Sequence, residues 1–272
     1  MKEIKIPKEM QEVCDNLRQK GKIGFVPTMG ALHKGHLSLI EKAKKENDFL
    51  VLSIFVNPLQ FGANEDYQRY PRPYQKDFEL AEDLKVDYLF HPGSKDLYPE
   101  KQETFVRIPN FEGLLCGRNR PTHFQGVLTV VAKLFNIVKP HRAYFGQKDY
   151  QQAIIIKKMV SQLNFDIEIK TLPTIREKDG LALSSRNAYL TKEERKKAPI
   201  LYQSLMEGKR LLESKRPTKE VLSVMKGMIE KKGFKIDYIE LLDKETLKKG
   251  KTLIALACRI GKTRLIDNIV CV

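Results

Sequence analysis

The sequence has little of what several common catalytic and structural signatures require. Its four cysteines, Cys14, Cys116, Cys258 and Cys271, are scattered without a C-x-x-C pair. Neither a zinc site nor a redox dithiol is signalled, and they read as small apolar residues. No apolar run approaches the ~20 residues of a membrane span. The stretch 1–22 is charged where a secretory signal would carry its apolar core, so the chain is expected in the cytoplasm without a membrane partner. The patterns G-x-G-x-x-G, H-E-x-x-H and G-x-S-x-G are absent, which leaves dehydrogenase, zinc-protease and α/β-hydrolase chemistry without support. Gly261-Lys262-Thr263 has the ending of a phosphate-binding P-loop, but the first glycine of that motif would fall at Leu256.

What is present is a globular composition. The 272 residues, 42% of them apolar, can build two cores. A net charge of +15 is the footprint of a nucleic-acid binder. The lysines, however, concentrate in stretches such as 41–45, 192–197 and 244–251, interleaved with acidic residues and without an aromatic-basic stacking motif. No nucleic-acid partner is expected, and the charge favours polyanionic small molecules.

The periodicity predicts alternating strands and helices. The apolar run 22–27, a Gly-containing turn, helically spaced Leu37, Leu39, Ile40 and Ala43, and the continuous apolar run 49–57 read as a βαβ unit with a buried parallel strand. Helices near 74–84, 125–139 and 150–163 lead into strands 86–90, 142–145 and 166–171. The pattern implies an α/β fold, a doubly wound parallel sheet of Rossmann-like kind, over residues 1–175. Helices at 192–215 and 217–232 and strands near 236–243, 252–259 and 264–271 predict a smaller α+β domain over 176–272, with 172–190 as the junction. The aperiodic segments 58–73 and 92–123 have the length of functional loops.

The most informative string, Pro27-Thr28-Met29-Gly30-Ala31-Leu32-His33-Lys34-Gly35-His36, lies where the first strand of the βαβ unit hands over to its helix. A helix N-terminus stabilises phosphate through its amides and dipole. His33 and His36, three apart, share one face, while Gly30 and Gly35 allow close backbone approach. Lys148, between Gly146 and Asp149, is expected at the carboxyl edge of the sheet, where it can neutralise developing phosphate charge. Asp149 either caps its helix or holds magnesium through water. The lone histidines His91, His123 and His141 read as structural.

Histidine pairs of the form H-x-G-H after the first strand mark the nucleotidyltransferase superfamily that includes class I aminoacyl-tRNA synthetases. The longer string Val26 to His36 is narrower, and the chain resembles the pantothenate synthetase family. Further strings match in order: Phe55-Val56-Asn57-Pro58-Leu59-Gln60-Phe61, Tyr70-Pro71-Arg72, Phe145-Gly146-Gln147-Lys148-Asp149-Tyr150-Gln151-Gln152 and Leu183-Ser184-Ser185-Arg186-Asn187. The C-terminal third matches mainly in layout. Gln147 stands where many relatives have Glu, and Leu59 where many have Met.

The resemblance implies an ATP-dependent ligase that activates pantoate as an acyl-adenylate and joins it to β-alanine, with Mg2+ and as a homodimer. It implies an ATP site of Met29, Gly30, Ala31, Leu32, His33, Lys34, Gly35, His36, Gly146, Gln147, Lys148, Asp149, Ile175, Leu183, Ser184, Ser185 and Arg186. Among these, His33, His36, Lys148, Ser184, Ser185 and Arg186 are the catalytic set, with His36 as proton donor. Gln60 and Gln152 are implied to hold pantoate, and Asp77 and Asp149 to be outer ligands of magnesium. A dinucleotide-forming adenylyltransferase shares the histidine chemistry, and an RNA-binding module would use the charge. Both alternatives stay open at this point.

Overall fold

A short strand, β1 (Lys2–Ile4), and a helix, α1 (Pro7–Arg18), precede the first element expected from the sequence. Proline opens α1 at a position whose N–H has no intrahelical partner. Met10, Cys14 and Leu17 recur at the spacing that puts them on one buried stripe among charged neighbours. The expected βαβ start follows as β2 (Ile23–Thr28), α2 (Lys34–Glu46) and β3 (Phe49–Ile54). β3 ends before the expected 57, and Asn57 then caps a 3-10 turn, Pro58–Gln60. The computed structural model describes residues 1–63 and 65–271.

The chain continues through α3 (Tyr74–Asp83), β4 (Tyr88–Phe90) and three single-turn helices, α4 (Ser94–Leu97), α5 (Pro109–Glu112) and α6 (Cys116–Asn119). Then come α7 (His123–Val138), β5 (Arg142–Gly146), α8 (Tyr150–Gln162) and β6 (Glu168–Leu172). The six strands pair in parallel in the order β1-β4-β3-β2-β5-β6. Strand alternation sends neighbouring residues to opposite faces. Val26, Leu50 and Leu52 share a core with Leu39, Ile40 and Ala43 of α2, while Phe25 meets Phe135 of α7 edge to face at 6.4 Å. Both faces of the sheet are thus covered, which is why β3 reads as an unbroken apolar run. The order reverses between the neighbours β2 and β5, and open α/β sheets bind ligands outside the carboxyl ends of strands at such a point.

Contacts divide the chain into two units. One comprises Met1–Gln147 and Gln152–Pro173, the other Lys148–Gln151 and Thr174–Val272. In the second unit the helix expected over 192–215 is two helices, α9 (Lys192–Lys197) and α10 (Ile200–Glu213), because Pro199 interrupts it. Thr191 and Glu194 form a capping box at the start of α9. α11 (Thr218–Glu230) follows, then the antiparallel sheet β7 (Lys235–Leu242), β8 (Leu253–Ile260) and β9 (Thr263–Val270). Leu205, Val221, Met225 and Ile229 of the helices pack with Ile254, Leu256 and Leu265 of the sheet. Gly261 and Lys262 form the β8–β9 turn, with Gly261 at φ +53°. The P-loop-like ending at 261–263 is a hairpin.

Candidate active site

The loop after β2 is built from backbone that needs outside support. Gly30 and Ala31 are consecutive left-handed residues, at φ +77° and +50°, and a non-glycine residue there is strained. Four hydrogen bonds hold it. Thr28 Oγ1 donates to Ser53 O at 2.8 Å and accepts from Gly30 N at 3.1 Å. Asp77, in the first turn of α3 and only 1% exposed, accepts from Ala31 N through Oδ2 and from Leu32 N through Oδ1, both at 2.7 Å. Burial lifts the Asp77 carboxyl above the ordinary carboxylate range, with the Leu32 and Ala31 amides pulling the other way.

His33 then caps α2, its Nδ1 accepting from Gly35 N at 3.1 Å, and His36 Nδ1 accepts from His33 N at 3.4 Å. The two rings stack with centroids 4.1 Å apart. A side chain at Gly35 would bring a Cβ to 2.9 Å from His33 Cε1, so glycine lets the first ring lie over the helix end. A nitrogen that accepts from an amide carries no proton, which leaves Nε2 as the ring position that can donate. The amides of residues 30, 31, 32, 33 and 35 donate within the loop or to Asp77. The helix end adds its dipole.

Gln60, 7% exposed, meets the same loop. Its Nε2 donates to Met29 Sδ at 2.9 Å and its Oε1 accepts from Asn57 Nδ2 at 3.2 Å. The amide orientation is set by Asn57, which also donates to Gly126 O at 3.1 Å and accepts from Tyr98 OH at 2.9 Å. Gly126 has to be glycine: a Cβ there would lie 2.2 Å from Leu59 O. The Gln60 carbonyl accepts from Arg120 Nη2 at 3.3 Å and lies 2.9 Å from His123 Nδ1, and Arg120 is ion-paired with Glu65. Asn57, Tyr98, Arg120 and Gly126 were not foreseen as site residues, although Asn57 lies in the matching string 55–61 and Tyr98 and Arg120 in the aperiodic segment 92–123. Gly146 ends β5, Gln147 opens the 3-10 turn after it, and Gln152 lies half-buried in the first turn of α8.

The second unit assembles the remaining candidates. Lys148 and Asp149 form an ion pair at 3.5 Å. Leu183 N donates to Ile175 O at 3.0 Å, and Arg176 bridges Ala182, so Ile175 and Leu183 close a short hairpin that delivers Ser184. Ser184 Oγ accepts from Arg186 N at 3.3 Å and caps the 3-10 turn Ser185–Tyr189. Of the two proposed magnesium ligands, Asp77 braces the loop and Asp149, with a side chain 48% exposed, is paired with Lys148. Among the described residues no group of three His, Cys, Asp or Glu could cage a metal. Such a donor set fits a cation that keeps most of its water and is bound largely by phosphate oxygens.

The sequence profile of the family described as Pantoate-beta-alanine ligase matches residues 2–270. The chain belongs to this family. Pantothenate synthetase of Caldicellulosiruptor bescii is 53% identical over 272 residues, 96% of each chain. The structure is similar to pantothenate synthetase from Thermus thermophilus, with a TM-score of 0.95 and 44% identity over 99% of both chains. It is also similar to the pantoate–β-alanine ligase of Francisella tularensis, solved as a complex with beta-gamma ATP and β-alanine, with a TM-score of 0.86 and 40% identity over 99% of this chain and 97% of that one.

Proposed function

We propose that the chain condenses pantoate with β-alanine at the expense of ATP, through pantoyl-adenylate, with release of AMP and pyrophosphate, as its membership of the ligase family implies. The observation that carries the site assignment is the stacked histidine pair at the N-terminus of α2, at the switch point of the sheet, with the oriented amide of Gln60 against the same loop. A carboxylate does not acylate an amine in water, because oxide would have to leave. Pantoate's carboxylate oxygen therefore attacks the α-phosphorus in line, the bond from that phosphorus to the bridging oxygen breaks, and pyrophosphate departs. The amine of β-alanine then attacks the acyl carbon, AMP leaves with the bonding pair, and the amine loses a proton. No covalent protein nucleophile is needed, and positioning and charge stabilisation carry both steps.

In this reading His33 and His36 donate from Nε2 to phosphate oxygens, with His36 as proton donor. Lys148, Ser184, Ser185 and Arg186 stabilise the departing pyrophosphate. Gln60 presents its Nε2 hydrogens to pantoate because Asn57 holds its carbonyl, and Gln152 is the second pantoate ligand. Met29, Gly30, Ala31, Leu32, Lys34, Gly35, Gly146, Gln147, Ile175 and Leu183 complete the nucleotide site. Magnesium would neutralise phosphate charge, held by Asp149 through water, while Asp77 serves through the loop. The basic surface attracts ATP rather than nucleic acid. The chain works in the cytoplasm as a homodimer, which light scattering checks. The deciding experiment is isotope exchange between pyrophosphate and ATP. It should require pantoate and magnesium but not β-alanine, and an obligatory need for β-alanine would sink the two-step scheme.

A further inference from the structure

The pyrophosphate-handling residues come from two stretches far apart in the chain, Lys148–Asp149 and Ser184–Arg186. Residues Lys148–Gln151 nevertheless group with Thr174–Val272, although the chain on either side of them belongs to the first unit. The tie is on β9. Buried Asn268 donates from Nδ2 to Lys148 O at 2.9 Å. A second tie, from Tyr150 OH to Lys244 O at 3.0 Å, is at the surface.

The neighbour of Asn268 holds the other stretch. Buried Asp267 takes Arg176 in a two-point ion pair, Nη1 to Oδ2 at 2.6 Å and Nη2 to Oδ1 at 2.9 Å, and also accepts from Asn268 N at 2.8 Å. Arg176 in turn donates to Gly180 O at 3.1 Å, lies 3.9 Å over the ring of Tyr202 and bridges Ala182. It is the anchor of the hairpin that leads into Ser184. Adjacent residues of one strand thus reach both phosphate-handling segments.

We propose that Asn268 is a positioning residue for Lys148, and that the Asp267-Asn268 pair locks Lys148 and the Ser184–Arg186 segment into one preset phosphate-binding group. The proposal rests on the role given to Lys148 above. A lysine ammonium rides on a flexible four-carbon stem, so its working position depends on where the main chain at 148 is pinned. Displacement by ~1 Å costs up to ~10²-fold in rate.

Substitution of Asp267 would strand the Arg176 cation in a buried site and threatens folding, so the test is made at Asn268. Pantoate-dependent pyrophosphate–ATP exchange is measured in wild type, Asn268→Ala, Lys148→Ala and the double variant, with thermal unfolding of each. Asn268→Ala is expected to lower the exchange rate about ten-fold with the KM for pantoate unchanged. In the Lys148→Ala background it should lower the rate no further, because the group it positions is gone. An equal factor in both backgrounds, or no effect in wild type, makes Asn268 merely structural and overturns the proposal. A wild-type rate in Lys148→Ala removes the role of Lys148 itself, and the proposal with it, and that outcome is read independently of Asn268. Where the alanine variant does not fold, Asn268→Ser, which keeps a shorter donor, carries the same cycle with a smaller expected factor.

Discussion

Loop 28–36 of the first unit and segment 175–187 of the second both carry residues proposed above to meet phosphate, and they are held by different physics. In the loop, two consecutive left-handed residues and a stacked histidine pair are fixed by backbone amides, a buried carboxylate and a capping box. In the second segment, charged side chains do the holding. Arg195 reaches Glu177 and Asp179, both at 2.7 Å and partly in solvent, and Asp267 takes Arg176 from beneath. The two carboxylates at the centre of these arrangements move in opposite directions. Burial raises Asp77, while the hydrogen bond from Arg195 lowers Asp179. A site held by burial is insensitive to salt, whereas one held by exposed ion pairs is screened.

The largest expected effect tests whether both regions contribute to chemistry. His36→Ala in the loop and Lys148→Ala in the second unit should each lower the adenylation rate by roughly 10²–10³-fold, the usual result of deleting one preorganised donor, with folding intact. A wild-type rate in either variant at saturating substrates takes that residue out of the site.

The next effect addresses how the loop is held. Asp77→Asn keeps the shape but turns an NH2 group toward an amide that needs an acceptor, so the left-handed turn loses half its brace. Exchange should fall by about 10–10²-fold through displacement of the histidines. Ala31→Gly added to this variant should recover part of the rate, since glycine holds a left-handed φ without strain. No recovery would mean that Asp77 acts otherwise than through the loop.

A smaller and more selective effect is expected at Gln60 and Gln152. Gln60→Glu retains the acceptor for Asn57 Nδ2 but replaces the donor pair with a carboxylate that repels pantoate, and Gln152→Glu introduces the same repulsion. Both should be worse than the Leu variants in pantoate-dependent exchange, with loss of a buried match reaching ~10⁴-fold in selectivity only at the extreme. Titration with ATP alone should be little changed. Equal loss of ATP affinity in all four variants would assign these glutamines to the nucleotide site or the fold.

The smallest effect concerns acid. Asp179 is depressed below its ordinary value of 3.8, so its contribution to stability is present above that value and is lost as pH falls through the lower folded-state value. Asp77, shifted upward, contributes with the opposite sign and favours the folded state as pH falls. Hydrogen exchange followed by peptide mass spectrometry should show residues 177–195 losing protection on acidification below pH ~4 while 28–36 holds. The size should stay within ~1 kcal/mol, because Arg195 and Asp179 are 29% and 42% exposed. Loss of protection in the loop first would reverse the comparison.

Much of this protein was legible in the amino-acid sequence because the signals were local. Apolar runs at 22–27 and 49–57 set the buried strands, helical spacing set α2, α7 and α8, and the histidine pair lay inside ten residues that bend, cap and start a helix together. β1 and α1 were missed, since a three-residue edge strand has no readable period and the buried stripe of α1 is thin among charges. Tertiary structure alone decided the rest. Asp77 meets the loop from 45 and 46 residues away, Asn57 orients Gln60 against a helix glycine 69 residues on, and Asn268 reaches Lys148 across 120 residues. Periodicity and spacing record which face a residue shares with its chain neighbours. They carry no record of which distant backbone group a buried polar side chain will satisfy, and that pairing exists only once the sheet order and the helix packing have brought the two together.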